Sequence, residues 1–255
     1  MALVAPTTHA KPLESPCGGC VRRSHCMLQA LNHAAPDGRG AHSQPDLPVT
    51  SRLLHRGDFL YEQGERASNT YVVAAGALKV WTGDASGDQQ VVGFLSQGDL
   101  AGAELTRDGR HGSTAQALDT TSVCVVSTHK LMSALAGSPA AARAVFDSMG
   151  ARLDDMANLL LRVGQKNAEQ RLASFLVGLL DKQRHLGLVT DRIELPMSRA
   201  DMASYLSLAV ETVSRLLTRL QGAGAVKVQR SHVDVVDLEL LRSLAGQSAE
   251  RHRLH

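Results

Sequence analysis

At 255 residues, with 44% hydrophobic and 20% charged residues, the chain is long enough for one large or two modest globular units and too apolar to be mostly disordered. Its longest nearly apolar stretch, Leu172 to Leu180, is interrupted by Ser174 and Gly178 and falls well short of the roughly 20 residues that a membrane-spanning helix requires. A net charge of +2 excludes a chain-wide electrostatic attraction to nucleic acid, so any basic surface has to be local.

The opening MALVAPTTHAKPLE has neither a basic lead nor a sustained apolar core, so it does not read as a secretory signal, and a cytoplasmic protein with no membrane association is expected. Residues 1–34 form an arm carrying CGGCVRRSHC, which places three of the chain's four cysteines, Cys17, Cys20 and Cys26, within ten positions. In a reducing compartment such clusters act more often as metal ligands or redox groups than as structural disulfides. Residues 35–48, rich in Pro, Gly, Asp and Ser, read as a linker.

From 49 to 137 short valine- and leucine-rich segments alternate with turn pairs such as Gly64-Glu65, Gly83-Asp84, Gly87-Asp88 and Gly98-Asp99. This spacing predicts a compact antiparallel β-barrel or β-roll, with YVVAAGALKVW, QVVGFL and SVCVVS as its clearest strands. Cys124, the fourth cysteine, sits in the last of them.

Helical spacing follows over 138–167. Phe146, Met149, Leu153, Met156, Leu160 and Val163 recur at intervals of three and four, an a/d seam. A single amphipathic helix commonly packs on its own domain. An unbroken seam that follows a complete β unit favours instead a coiled-coil helix that makes a homodimer. Another helix, NAEQRLASFLVGLLDKQRHLG, opens the last unit, 168–255.

Residues 197–224, MSRADMASYLSLAVETVSRLLTRLQGAG, have the shape of a helix-turn-helix. Ser198 is placed to cap the first helix with Asp201 three residues on, Ser207-Leu208 makes the turn, and the second helix runs from about Ala209 to Gln221. Val213, Leu216, Leu217 and Leu220 form its core face. Glu211, Ser214 and Arg215, at i, i+3 and i+4, project together from its N-terminal half, where a recognition helix meets bases. Arginine reads guanine through two hydrogen bonds, glutamate accepts from the cytosine amino group, and serine bonds base or phosphate. Ser198, Thr212 and Arg219 are the candidates for DNA-backbone contacts. Glu211 and Arg215 are also spaced to form an ordinary surface ion pair. Against that reading, residues 164–230 hold ten Lys or Arg and six Asp or Glu, which concentrates positive charge where DNA would lie. VKVQRSHVDVV then reads as a β-hairpin wing.

The order β-roll, long dimer helix, winged helix-turn-helix is an α+β architecture that resembles the cAMP receptor protein superfamily of bacterial transcription factors. Within it, C-x2-C-x5-C plus Cys124, together with GDQQVVGF, KNAEQRLASF and VETVSRLLTRLQ, is similar to the FNR branch, the fumarate and nitrate reductase regulators. Val21 and His25 depart from the serine and leucine common there.

On residue chemistry alone, four thiolates suit a [4Fe-4S] cluster, a closed tetrahedral zinc site or a thiol-disulfide sensor. The resemblance implies the first: an oxygen-labile cluster, one per monomer, on Cys17, Cys20, Cys26 and Cys124 that promotes dimerisation. It also implies a palindromic promoter site, TTGAT and ATCAA about four bases apart, read by Glu211, Ser214 and Arg215, and activation or repression of anaerobic metabolism. Recruitment of RNA polymerase through its sigma and alpha subunits is implied too, with the turn at Gly87 and Asp88 touching sigma.

The superfamily's nucleotide-phosphate pattern, a Gly-Glu-Leu turn with an Arg-Ser or Arg-Thr pair, is not met in GDLAGAELTRDGRHGSTAQA, where Ala103 splits Gly102 from Glu104 and His111 follows Arg110. No cyclic nucleotide is therefore expected as the signal. No hydrolase elbow, phosphate loop or zinc-protease motif is present, and no enzymatic activity is expected.

Overall fold

The computed structural model describes residues 48–84, 86–103, 108–137, 139–185 and 190–247, with backbone alone for parts of the long helix. The cysteine arm and most of the linker lie outside these residues.

Eight strands come first: β1 (Thr50–Leu54), β2 (Phe59–Tyr61), β3 (Asn69–Ala75), β4 (Leu78–Gly83), β5 (Gln89–Leu95), β6 (Leu100–Ala101), β7 (Thr114–Ala117) and β8 (Thr121–Ser127). They form two antiparallel sheets, ordered β1-β8-β3-β6 and β2-β7-β4-β5, and so make a roll. Alternation sorts the side chains: Val73, Leu78, Val80, Ala115 and Val123 fill the space between the sheets, while Cys124 and Val126 point to the outer face of β8. Gly76, at the β3-β4 turn, has φ +84, and a Cβ there would fall 2.6 Å from Thr120 O, so only glycine fits.

A helix that alternation did not announce, α1 (Thr128–Gly137), covers this outer face, seating Leu131 against Val72, Leu100 and Val126. It leads into α2 (Pro139–Gln165), the 27-residue helix that bears the seam. A break at Lys166 and Asn167 separates it from α3 (Ala168–His185). The new helix starts on a reciprocal cap, in which Gln170 N donates to Asn167 Oδ1 at 2.9 Å and Asn167 N to Gln170 Oε1 at 3.1 Å.

The last unit then holds β9 (Arg192–Glu194), α4 (Arg199–Leu206), α5 (Val210–Gly222), β10 (Val226–Val228), β11 (His232–Val235) and α6 (Leu238–Leu244). Leu172, Leu176, Leu180, Ile193, Met202, Leu206, Val213, Leu220 and Leu241 make its core. The wing is a three-stranded sheet ordered β10-β11-β9, one strand more than the expected hairpin. Among the described residues no helix is long and apolar enough to cross a membrane.

Candidate nucleic-acid interface

Helix α4 begins on a capping box: Ser198 Oγ accepts from Asp201 N at 3.0 Å, and the Asp201 carboxylate accepts from Ser198 N at 3.0 Å. The Ser198 hydroxyl also donates to Asp201 at 2.6 Å, so this side chain serves the cap. The helix ends at Ser207 with φ 52 and ψ 53, a left-handed residue that turns the chain sharply into α5. Arg171 of α3 holds this turn from behind, its Nη1 donating to the carbonyls of Leu206 and Ser207, 3.4 Å each.

Helix α5 buries Val213, Leu217 and Leu220, with Leu216 partly covered. The opposite face is open: Glu211, Ser214, Arg215, Thr218 and Arg219 are exposed. Among the described residues no ion pair joins Glu211 to Arg215; Arg215 Nη2 instead reaches Thr212 Oγ1 at 3.4 Å. The Glu211 carboxylate and most of the Arg215 fork are thus presented outward. Ser214 Oγ donates to Val210 O at 3.2 Å, leaving its lone pairs for a partner. Arg219 is paired with Glu169 of α3 at 3.0 Å yet remains 70% exposed, so the pair sets its position without hiding it.

Val210, in the first turn of the same helix, is exposed as well. It sets an apolar group one place before Glu211, the kind of side chain that suits contact with a thymine methyl. On the wing, Arg192 Nε bonds Asp234 Oδ1 at 2.9 Å, which holds the Asp234 carboxyl below its ordinary range. Lys227 and Arg230 stand exposed beside it.

In the roll, Cys124 is partly exposed on the outer face of β8, with Ser51 of β1 and Val72 of β3 as its cross-strand neighbours, and it packs against the buried cluster of Val49, Val72, Leu100, Val126 and Leu131. Cys17, Cys20 and Cys26 lie outside the described residues. Among those described, no three His, Cys, Asp or Glu side chains form a group able to hold a metal. The 84–88 turn is organised by Asp84, whose carboxylate accepts from Ser86 N at 2.9 Å and Asp88 N at 3.2 Å, leaving Gly87 and Asp88 exposed. Inside the roll, Tyr61 stacks on His111 at 3.9 Å and receives the Gly102 N–H on its hydroxyl at 3.2 Å, while Arg110 turns outward to Gly64 O at 2.7 Å.

On α2, Phe146, Met149, Leu153 and Met156 are 72%, 38%, 67% and 46% exposed. Leu160 and Val163 lie further along the helix, in the part where side chains are not described.

Family models match both units. Residues 51–138 match the cyclic nucleotide-binding domain and residues 170–244 the Crp-like helix-turn-helix domain. The transcriptional activator protein Anr of Pseudomonas protegens is 33% identical over 234 residues, covering 92% of this chain and 94% of that protein. The chain belongs to the Crp/Fnr family. The fumarate nitrate reduction regulatory protein of Klebsiella oxytoca is likewise 33% identical, over 91% of each chain. FixK2 of Bradyrhizobium japonicum superimposes with a TM-score of 0.70 and 28% identity, covering 77% of this chain and 96% of that one. The fold is Crp-like, and the chain is a DNA-binding transcriptional regulator of the Fnr/Anr type.

Proposed function

We propose that the chain is an oxygen-responsive regulator, and activator at some promoters, that binds a [4Fe-4S] cluster through Cys17, Cys20, Cys26 and Cys124, one cluster per chain. The cysteine inventory carries this reading: there are four thiols in all, three at C-x2-C-x5-C and a fourth on the outer face of β8, and among the described residues no three His, Cys, Asp or Glu side chains gather to hold a metal. A metal held at Cys124 therefore draws further ligands from outside the described residues, and the donor set of four thiolates fits the cluster. When bound, the cluster supplies an oxygen-sensitive tie between arm and roll.

What the chain's own residues contribute follows from position. Cys124 packs against the buried cluster to which Leu131 of α1 belongs, and α1 runs directly into α2, so a tie at Cys124 acts on the helix that carries Phe146, Met149, Leu153 and Met156. Large apolar side chains left open on one helix face fit a second copy of the chain. A symmetric pair sets two α5 helices in successive major grooves, which calls for a near-palindrome of the form TTGAT, about four bases, ATCAA. Glu211, Ser214 and Arg215 read it, and Thr212 and Arg219 approach the phosphates. Ser198 does so through its place at the α4 N-terminus, since its hydroxyl is engaged in the cap.

The exposed Gly87-Asp88 turn is the RNA polymerase contact, toward sigma, with alpha a further partner; Asp88→Ala is expected to lower transcription at unchanged operator affinity. Stacking of Tyr61 on His111 and the outward turn of Arg110 support a roll that answers to no cyclic nucleotide, and no enzymatic turnover is proposed.

The test is to purify the full chain without oxygen, assay iron and sulfide, and follow absorbance, dimer fraction and DNA affinity as air is admitted. About four irons and four sulfides per chain, bleached by air with loss of dimer and of binding, is the expected result. Protein that contains zinc or no metal and is indifferent to air overturns the oxygen reading.

A further inference from the structure

Helix α4 has two faces with different jobs. Met202, Ala203 and Leu206 face the core of their own unit. Asp201, Ser204 and Tyr205, spaced i, i+3 and i+4, face the roll. There, Lys79 Nζ of β4 meets Asp201 Oδ1 at 2.8 Å, in a pair whose side chains are only 23% and 14% exposed.

Strand β5 is the edge of its sheet, so it carries backbone groups with no ladder partner. Ser204 engages that edge twice: its Oγ accepts from Val91 N at 2.9 Å and its carbonyl accepts from Gln90 Nε2. Beside these contacts, Phe94 of β5, Phe175 of α3 and Tyr205 of α4 meet pairwise at 5.3–5.9 Å with tilted rings. The chain has only four Phe, three Tyr and one Trp, and Trp81 packs against the same cluster. Half of a scarce aromatic supply is thus spent where the two units touch.

The reading face of α5 stays open in this arrangement. We propose that the seat of α4 on β4 and β5 is a positioning device for the recognition helix, with Lys79 and Ser204 as positioning residues. By fixing the angle of the helix-turn-helix against the roll, it sets the separation of the two reading helices in a dimer, and with it the half-site spacing that the regulator accepts. The inference rests on the dimeric DNA-binding reading given above. Two hydrogen bonds to a sheet edge and a directed ion pair specify an angle; apolar packing alone would tolerate sliding.

The test uses the full chain purified without oxygen, as wild type, Lys79→Glu and Lys79→Arg, on duplexes in which TTGAT and ATCAA are separated by three, four or five base pairs. Lys79→Glu sets a carboxylate against Asp201 and is expected to reduce the preference for the best spacer by about fivefold, the worth of an ion pair of this exposure. Lys79→Arg keeps the cation and is expected to retain the wild-type profile. A Lys79→Glu profile identical to wild type overturns the proposal.

Amide exchange gives a readout that needs no DNA. Lys79→Glu is expected to speed exchange of Val91 and of α4 together while β3 and β8 are unchanged; equal exchange in both proteins again overturns the seat. A wild type that binds none of the duplexes overturns the promoter site instead, and the exchange result then decides the seat alone.

Discussion

Helices α2 and α5 are both amphipathic, but they spend their faces in opposite ways. In α5 the apolar face is buried within its own unit, and apart from Val210 what remains outside is polar and charged. In α2 the large apolar side chains themselves stand outside, Phe146 and Leu153 most of all. An exposed polar face costs nothing in water and waits for a polar partner. An exposed apolar face of this length is a cost that a second apolar surface removes. The two helices therefore point to two classes of partner, nucleic acid for α5 and another copy of the chain for α2.

The largest way to break this contrast is to give α2 the character of α5. Leu153→Glu places a carboxylate in the seam of both copies, and the lost burial alone is roughly 1.5–3 kcal/mol per chain. Dimer association should fall by about a hundredfold or more. Sedimentation of the anaerobically purified chain checks this, and a dimer fraction equal to wild type would return the seam to packing within one chain.

The reverse change acts on α5. Arg215→Ala removes the proposed two-bond guanine reader, and is expected to cost about 1–3 kcal/mol and to relax the preference at one position of each half-site. Lys227→Ala, on the wing, is expected to weaken binding evenly across sequences and to lower the salt slope by about one. Titrations against palindromes with single base changes, at two salt concentrations, separate the two outcomes. An Arg215→Ala protein with unchanged base preference would assign that arginine to the phosphates.

A smaller effect lies beneath the reading helix. Burial pushes the Asp201 carboxyl up, but the bonds from Lys79 and Ser198 outweigh it and hold its pKa below the usual range. A carboxyl whose pKa is lower folded than unfolded stabilises the fold above its unfolded pKa and loses that contribution as pH falls through the folded value. Asp201→Asn is therefore expected to cost about 1–2 kcal/mol near neutrality, from one cap and one partly exposed pair. The gap to wild type should begin to narrow below about pH 4, near the pKa of the unfolded carboxyl, and close as pH falls further through the lower folded value. Urea unfolding of both proteins across this range measures it, and a gap that persists in acid would mean that the amide disrupts packing instead of the charge.

These features differ in how far they can be read ahead of any coordinates. The strands around Val72, Val80 and Val123 show themselves because β-branched residues alternate between defined turns, and α5 does so because Val213, Leu217 and Leu220 repeat at helical spacing. The cap at Ser198 follows from a serine with an acid three residues on. Helix α6, with its seven residues, and β9, with three, are too short to establish a period, and α1 lies where the strand pattern is still expected to run. The seat on β5 was hidden for a different reason. Asp201, Ser204 and Tyr205 mark a polar face, but a face does not name its partner, and Lys79 lies 122 residues away from Asp201.

The smallest expected effect sharpens the contrast by leaving both faces untouched. Ser207 is the one described residue other than glycine with positive φ, and it sits at the turn between α4 and α5. In this region the Cβ crowds the following carbonyl, and glycine escapes that crowding. Its Oγ is involved in no described hydrogen bond, whereas its backbone N–H closes α4 and its carbonyl accepts from Arg171, and both backbone contacts survive a change to glycine. Ser207→Gly should therefore stabilise the fold by about 0.5–1 kcal/mol, the relieved strain being partly offset by the greater freedom of the unfolded glycine chain. Base preference should stay as it is, since neither Glu211 nor Arg215 moves. A thermal midpoint that rises with an unchanged binding profile is the expected pair of results. A profile that shifts would mean that the turn sets the pitch of α5 through the serine side chain, and the support beneath the reading helix would then count as part of the reading.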